Sequence, residues 1–367
     1  MPSPTDLTAL ADPDCGTPRE HTTGAWRTTC AGVFRSARAV AAAMVTLATL
    51  LPGLIPALAS APAAAQQVEV DPALPDFEGD GGVSGQFTSI GSDTMLNMMN
   101  SWAELFQRFY PAARISVEGK GSSTAPPALI SNQAQFGPMS RAMTPEEEDR
   151  FFEARGFDPT GLIVAIDTVA VFVHRDNPIG SISIEQIRDA FSVDGPDRVT
   201  WGDLGVDDPD YADRPVALYG RNSASGTYKY FKDTALSGVD YRPEVSDNPG
   251  SSGVVNAVSR DPYALGYSGI GYNVSGVKAV PVRARADAEA VEPTQRTAET
   301  GAYPFARPLW LYVAYDPRTD LDPIRERFIR MIYSRQGQEV VVRDGAFPVP
   351  APLASQQLQR VGLAPGF

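Results

Sequence analysis

Cysteine and histidine are scarce in this sequence, and their scarcity excludes several kinds of site. The two cysteines, Cys15 and Cys30, both lie near the N-terminus, so no thiol follows residue 30. The rest of the chain therefore has no disulfide, thiolate nucleophile or cysteine-ligated metal. His174 is the only histidine beyond residue 30, and a zinc site needs several convergent ligands, so we interpret His174 as a surface or hinge residue. We expect no metal and no cofactor.

Positive charge is also in short supply. The chain has 31 Lys and Arg against 44 Asp and Glu, a formal net charge of −13, and no basic run. A protein that binds nucleic acid needs a concentrated excess of Lys and Arg to replace counterions, so nucleic acid is not an expected partner. The hydrophobic share of 43% is typical of a globular protein, and the length of 367 residues allows one or two domains.

A segment near the N-terminus has the three parts of a secretory signal peptide. Basic residues from Arg27 to Arg38 precede an apolar run over residues 39–58, and small residues follow as far as Ala65. This order is that of a positive region, an apolar region and a cleavage site. Two prolines interrupt the apolar run, which favours a cleaved peptide over a membrane anchor. We expect the mature, periplasmic protein to begin at Gln66.

From residue 86 onward, short apolar strands alternate with amphipathic helices. The alternation predicts an α/β fold with a mostly parallel sheet. Strands are predicted over residues 87–90, 114–118, 135–139, 162–173, 216–219, 266–268, 278–282 and 308–314, and helices over 95–109, from 125, over 184–191, 228–236, 253–258, 321–330 and 336–342.

The long apolar stretch at residues 162–173 divides the predicted elements into two sets. Two α/β lobes joined by this strand, with the C-terminal elements returning to the first lobe, would place a ligand cleft between the lobes. The predicted divisions are an N-terminal extension and signal peptide (1–65), a flexible linker rich in Pro, Gly and Asp (66–85), lobe I (86–178 plus 300–367) and lobe II (179–299).

Three segments have the composition of an anion-binding turn. At residues 91–94, 119–124 and 220–227 a predicted strand leads into Gly and hydroxyl residues, and a helix follows. A helix N-terminus exposes unpaired N–H groups and the positive end of the helix dipole, so such a turn suits an oxyanion. For a single turn, helix capping is the simpler explanation. Three such turns, one of them with Arg221, whose planar fork binds two oxygens of a tetrahedral anion, favour an oxyanion site.

These turns and two further segments together resemble a known family. The segments Ser-Ile-Gly-Ser-Asp-Thr (89–94), Gly-Ser-Ser-Thr (121–124), Phe-Gly-Pro-Met-Ser-Arg (136–141), Arg-x-x-x-Ser-Gly-Thr (221–227) and Tyr-Pro-Phe-Ala-Arg-Pro-Leu (303–309) occur in this order. They are similar to those of the phosphate-binding proteins that feed ABC phosphate importers. The resemblance implies a two-lobed periplasmic-binding-protein fold of type II, a monomer that closes on dehydrated inorganic phosphate, a membrane ABC permease as partner and no catalytic activity.

Carried over by position, the resemblance and the turns give one set of candidate ligands. Well-known members of the family have an Asp where this chain has Ser140, and that Asp accepts the proton of the phosphate. The nearest carboxylate that we can nominate instead is Asp93, for which helix capping is an equal alternative. The candidate phosphate-binding residues are Ser92, Asp93, Thr94, Ser122, Ser123, Ser140, Arg141, Arg221, Ser225, Gly226 and Thr227.

Two other functions remain open at the level of the sequence. The same oxyanion cradle could serve a secreted phosphatase with Ser225 as nucleophile, although no paired base or metal site accompanies that serine. The cradle could also belong to a receptor for sulfate, molybdate or tungstate, or to a sensor that binds phosphate without transporting it.

Overall fold

The computed structural model describes residues 68–364. The predicted signal peptide and its cleavage site lie outside the described residues. The first set of elements comprises β1 (Gly85–Gly91), α1 (Leu96–Phe109), β2 (Ala113–Gly119), α2 (Ala125–Ile130), β3 (Phe136–Met139) and α3 (Pro145–Arg155). The long strand β4 (Thr160–His174) follows. Within the described residues, no helix is both long and apolar enough to span a membrane.

The second set of elements follows β4, and four further elements come after it in the described residues. The second set comprises β5 (Ile182–Ser183), α4 (Ile184–Phe191), β6 (Ala217–Arg221), α5 (Gly226–Ala235), β7 (Ser246–Asn248), α6 (Gly250–Val258), β8 (Ala264–Gly269), β9 (Val277–Val280), β10 (Val282–Arg283), β11 (Ala290–Val291) and α7 (Gln295–Glu299). The final elements are β12 (Ala306–Val313), α8 (Pro323–Ile332), α9 (Arg335–Arg343) and α10 (Ala351–Arg360).

The main sheet is mixed rather than mostly parallel. Its strand order is β2-β1-β3-β12-β4-β8-β6-β7, and β9 pairs with β4 beside β8. The groups β2-β1-β3 and β8-β6-β7 are parallel internally, whereas β12 and β4 pair antiparallel with each other and with their neighbours. The prediction of a mostly parallel sheet was therefore wrong at the centre. The alternation of strands and helices does not show the direction of each strand. β12 follows the second set of elements in the sequence but lies between β3 and β4 in the sheet.

The register of β4 explains where a site can form. Its first part pairs with β12 as far as Thr168, opposite Ala306, and its second part pairs with β8 from Val169, opposite Gly269. The strands β1, β2 and β3 run in the direction of β4, and β6, β7 and β8 run against it. The carboxyl ends of both groups therefore point toward the middle of β4, and the turns that follow them converge there.

Two principal hydrophobic cores lie on either side of this point. One contains Trp102, Phe136 and Phe328, packed between the first strands and the C-terminal helices. The other contains Phe231 and Tyr267, whose rings stack with centroids 3.9 Å apart. Such separate cores hold each group of strand ends in place independently.

Part of the segment predicted as a flexible linker is packed. Leu74 and Phe77 are buried in the first core. The backbone N–H of Phe77 donates to Gln336 Oε1 over 2.9 Å, and the carboxylate of Asp71 accepts from the N–H of Ala351 over 2.8 Å. The linker prediction therefore needs correction at these residues. The segment has no periodic pattern because it makes its contacts through isolated side chains rather than through one face of a helix or strand.

Candidate anion-binding site

Arg221 ends β6 and is fully buried where the strand ends converge. Its Nη1 donates to Ser251 Oγ over 2.7 Å, and its Nη2 donates to the carboxylate of Asp93. Its backbone N–H donates to the hydroxyl of Tyr267 over 3.3 Å, which fixes the end of the strand. The guanidinium therefore lies between the turn after β1 and the start of α6.

Three hydroxyls form a chain beside Arg221, and we call Thr94, Thr227 and Ser251 the hydroxyl cluster. Thr94 Oγ1 lies 3.0 Å from Thr227 Oγ1 and 3.4 Å from Ser251 Oγ. Arginines lie at both ends of this chain, because Arg221 donates to Ser251 and Arg307 Nη2 donates to Thr227 Oγ1 over 3.0 Å. An arginine can only donate, so the hydroxyls at both ends accept from it.

The hydrogen bonds within the cluster leave one hydroxyl proton over. The three hydroxyls carry three protons, and the two contacts between them use two. Either atom of each contact can be the donor, and a hydroxyl accepts two hydrogen bonds and donates one. Thr227 can therefore accept from both Arg307 and Thr94 and keep its own proton for a group outside the cluster. The cluster as a whole can donate one hydrogen bond to an additional acceptor.

Further buried polar atoms beside the cluster make no hydrogen bond. Within the part of the chain that the structure describes, these atoms include Arg221 Nε, Arg307 Nη1, Ser92 Oγ and Asp93 Oδ1. Buried polar groups are ordinarily paired, so these four atoms are available to a further partner. Two of the four are nitrogens that can only donate, one is a hydroxyl, and one is a carboxylate oxygen. This combination fits an anion that has several oxygens and one proton of its own.

The turns after β2 and β3 contact the start of α5 directly. Ser122 Oγ accepts from the backbone N–H of Ser140 over 3.0 Å and lies 3.3 Å from Ser140 Oγ. A Cβ atom at Gly226 would lie only 2.3 Å from Ser122 Oγ and 2.6 Å from Ser140 Oγ. At Gly121, where φ is 102°, a Cβ would lie 2.4 Å from the carbonyl oxygen of Ala224. Glycine is therefore required at both points, and the approach brings the N-terminus of α5 against two serines.

Ser225 and Asp93 have different roles, although capping was a plausible explanation for both. Ser225 is the N-cap of α5, and its Oγ accepts from the N–H groups of Thr227 and Tyr228. Asp93 does not cap α1, whose N-cap residue is Met95 and makes no side-chain capping bond. The Asp93 carboxylate instead pairs with Arg221, so its alternative interpretation as a simple N-cap was wrong.

Two predicted ligands are engaged elsewhere. Arg141 makes a bidentate pair with Glu147, with N–O distances of 2.6 and 2.7 Å, and also donates to the carbonyl of Ala142. These contacts lie at the N-terminus of α3, so the structure does not bring Arg141 to Arg221. The hydroxyl of Ser123 donates to the carbonyl of Ala224 over 3.0 Å. Ser123 therefore joins two turns to each other, whereas Ser122 lies against Gly226.

Sequence reasoning missed three residues of this arrangement. Ser251 was left out because the predicted helix began at residue 253, whereas α6 begins at Gly250. The missed signal was a fourth turn of Gly and Ser that follows a short strand. Asp167 and Arg307 were missed as a pair because they lie 140 positions apart in the sequence and meet only in the sheet, as directly opposed residues of β4 and β12.

A small cavity behind the hydroxyl cluster contains an acid with a shifted pKa. Thr94, Asp167, Tyr272 and Asp344 are among its lining residues. Burial raises the pKa of Asp344 to about 7, and the negative charge of Asp167 adds to the effect. Burial likewise raises the pKa of Asp167, against the opposing charge of Arg307. Burial also raises the pKa of Tyr272, so that tyrosine remains neutral.

This shift predicts how stability depends on pH. Between about pH 4 and about pH 7 the unfolded chain has released the Asp344 proton while the folded chain still holds it, so the contribution of Asp344 to stability falls as the pH rises. Replacing Asp344→Asn should flatten this part of the profile. Chemical denaturation at several pH values across this window measures the effect, with Asp207→Asn, an exposed acid, as the control. An unchanged profile in Asp344→Asn would contradict the prediction.

Comparison with known proteins gives a consistent set of relatives. A PBP superfamily domain matches residues 77–336. Phosphate-binding protein PstS of Pseudomonas aeruginosa is 44% identical over 306 residues, which cover 82% of this chain and 94% of that protein. An ABC-type phosphate transport receptor from Vibrio cholerae superposes with a TM-score of 0.57 at 22% identity, covering 72% of this chain and all of the other. A phosphate-bound crystal structure of a substrate-binding protein from Clostridium perfringens superposes with a TM-score of 0.62 at 24% identity. The superposition covers 72% of this chain and 100% of the other.

Proposed function

The chain belongs to the PBP superfamily and, within it, to the phosphate-binding protein family PstS, and from this premise we propose that it is a periplasmic receptor for inorganic phosphate that delivers its ligand to a membrane ABC permease. The α/β fold of type II that the resemblance implied is confirmed by the neighbouring structures. The predicted signal peptide supports export. In this proposal the protein acts as a monomer, and residues 86–178 with 300–367 close against residues 179–299 around the anion.

The observation that carries the proposal is the environment of Arg221. Its buried guanidinium donates to Ser251 of the hydroxyl cluster, and Thr227 of the same cluster lies in the first turn of α5, so these donor groups lie together. Charge-assisted hydrogen bonds to an oxyanion are short and strong, and the fork of an arginine matches two oxygens of a tetrahedral anion. The net charge of −13 does not prevent this, since long-range fields are screened beyond about 8 Å in physiological salt whereas these donors act at contact distance.

Asp93 supports phosphate over sulfate as the ligand. One of its carboxylate oxygens pairs with Arg221, and the other is buried without a partner. Phosphate near neutral pH keeps at least one proton, which such an oxygen can accept. Sulfate has no proton to give, so the same oxygen would repel it. We propose that Asp93 takes the role for which well-known relatives use an Asp at the position of Ser140.

Replacing Asp93→Asn should therefore change anion preference. The amide can donate as well as accept, so phosphate binding should weaken while sulfate binding is gained. Parallel calorimetric titrations of both proteins with both anions measure the ratio of the two affinities. Asp233→Asn, which breaks an exposed ion pair with Lys229 on α5, is the matched control. An unaltered ratio of phosphate to sulfate affinity in Asp93→Asn would assign selectivity to another group.

The phosphatase alternative gains no support from the position of Ser225. Both hydrogen bonds that its Oγ accepts come from backbone N–H groups of α5. A nucleophilic serine needs a base that takes its proton, and neither contact supplies one. The relatives identified above are named as binding proteins. We therefore propose a receptor rather than an enzyme.

Ligand-dependent melting across an anion panel tests the proposed function. A ligand that binds only the folded protein stabilises it by RT ln(1 + [L]/Kd), so the melting temperature should rise with phosphate concentration. We expect a clear rise with phosphate and little change with sulfate, molybdate or tungstate. A rise with another anion and not with phosphate would contradict the proposal, and so would turnover of a generic phosphate ester.

A further inference from the structure

Arg307 is a second buried arginine at the site, and the function proposed above gives it no role. It lies on β12 and is 1% exposed. Its Nε and Nη2 donate to Asp167 Oδ2 over 3.0 and 2.7 Å. Its guanidinium also lies 5.3 Å from the ring centre of Tyr230. The pair is embedded in the two antiparallel strands that join the two groups of the sheet.

One contact links this pair to the anion site. Arg307 Nη2 donates to Thr227 Oγ1 over 3.0 Å. Thr227 lies in the first turn of α5 and is fully buried, and its Oγ1 is 3.0 Å from Thr94 Oγ1. Because the arginine cannot accept, it occupies one acceptor position of the Thr227 hydroxyl and leaves the proton of that hydroxyl to point away from Arg307.

Asp167 determines what Arg307 contributes. A full carboxylate opposite the guanidinium cancels most of its charge, so Arg307 adds little net attraction for an anion at longer range. What Arg307 contributes is a donor of fixed direction, because its guanidinium is hydrogen-bonded to Asp167 and packs against the ring of Tyr230. A donor held in this way orients the hydroxyl that it contacts before any ligand arrives, and preorganised groups lose less entropy on binding.

We propose that Arg307 is a positioning residue for phosphate binding, which orients the Thr227 hydroxyl so that its proton is donated to the anion. The inference rests on the proposed function, because it assigns a role within the same site. It adds a residue that does not belong to any of the three anion-binding turns. In this arrangement Arg221 contacts the anion from the end of β6, and Arg307 acts through Thr227 from β12.

A double-mutant cycle with Arg307→Lys and Thr227→Val tests this role. Lysine keeps a positive charge opposite Asp167 but is a point donor without the fork, and valine replaces the hydroxyl with a methyl group of similar size. Each single change should weaken phosphate binding about tenfold, as expected for loss of one hydrogen bond to a charged group. The double variant should be no weaker than Thr227→Val alone. Arg242→Lys, at a buried arginine that donates to the carbonyls of Asp189, Ser192 and Pro196, is the control and should leave affinity unchanged.

The outcomes separate this inference from the proposed function. Wild-type protein that does not bind phosphate would contradict both. Wild-type binding together with losses that multiply in the double variant, or with full affinity in Arg307→Lys, would overturn the role of Arg307 alone. If Arg307→Lys does not fold, the double variant Asp167→Asn with Arg307→Gln replaces it in the same cycle, because this neutral pair leaves no unpaired buried charge.

Discussion

Arg221→Ala should weaken phosphate binding by about tenfold at least and up to about a hundredfold, the range for losing hydrogen bonds to a charged ligand. The change removes the buried guanidinium at the end of β6 and also leaves Asp93 without its ion-pair partner. An unpaired carboxylate at this place would repel the anion. Both effects act in the same direction, so this is one of the two largest losses that we expect.

Two further variants make the Arg221 result specific. Arg221→Lys should recover only part of the affinity, because lysine offers a point charge without the planar fork. Arg198→Ala, at an exposed arginine, should bind as the wild type does. Calorimetric titration with phosphate measures all three, and a thermal melt verifies that each protein is folded. Full affinity in folded Arg221→Ala would refute the assignment of Arg221 as a ligand.

Gly226→Ala should remove phosphate binding almost completely while leaving the fold intact. The added Cβ would lie 2.3 Å from Ser122 Oγ, 2.6 Å from Ser140 Oγ and 2.9 Å from Ser122 Cβ. Rotation of the two hydroxyls can relieve the first two contacts, but the third involves an atom that the Ser122 backbone fixes. The turn after β2 and the N-terminus of α5 must therefore move apart, and the donors on the two sides no longer reach one anion.

The stability of the Gly226→Ala protein separates this effect from misfolding. Alanine is a better helix former than glycine, and Gly226 opens α5 without a positive φ, so the helix itself should tolerate the change. Gly180→Ala is the matched control, since a Cβ at that position meets no atom within 4 Å. Calorimetry and a denaturant titration of both variants give affinity and stability. Wild-type affinity in Gly226→Ala would show that the close contact of the two turns is not needed for binding.

The local elements could be predicted from the sequence because each has its own local signal. Apolar spacing located α1, and the helix predicted over 184–191 is α4, where Ser183 forms a capping box with Gln186. α3 likewise begins with a capping box, formed by its N-cap Thr144 and Glu147. These signals act within a few residues of the chain, so one sequence is enough to show them.

The parts that could not be predicted depend on contacts between distant segments. The pairing of Asp93 with Arg221 and of Asp167 with Arg307 follows from the order and direction of strands, which the spacing of apolar residues does not encode. The same limit explains the unpredicted antiparallel centre of the sheet. Ser251 was missed for a local reason, since glycine and serine at the start of α6 are poor helix formers and are typical of a loop.

A crystal structure of the protein grown with phosphate shows whether the anion binds where the strand ends converge. We expect one tetrahedral anion there, with hydrogen bonds from Arg221, from the hydroxyl cluster and from the N-terminus of α5, and with its proton toward Asp93 Oδ1. An anion bound elsewhere on the molecule, or none at the converging strand ends at saturating phosphate, would refute the assignment of this site.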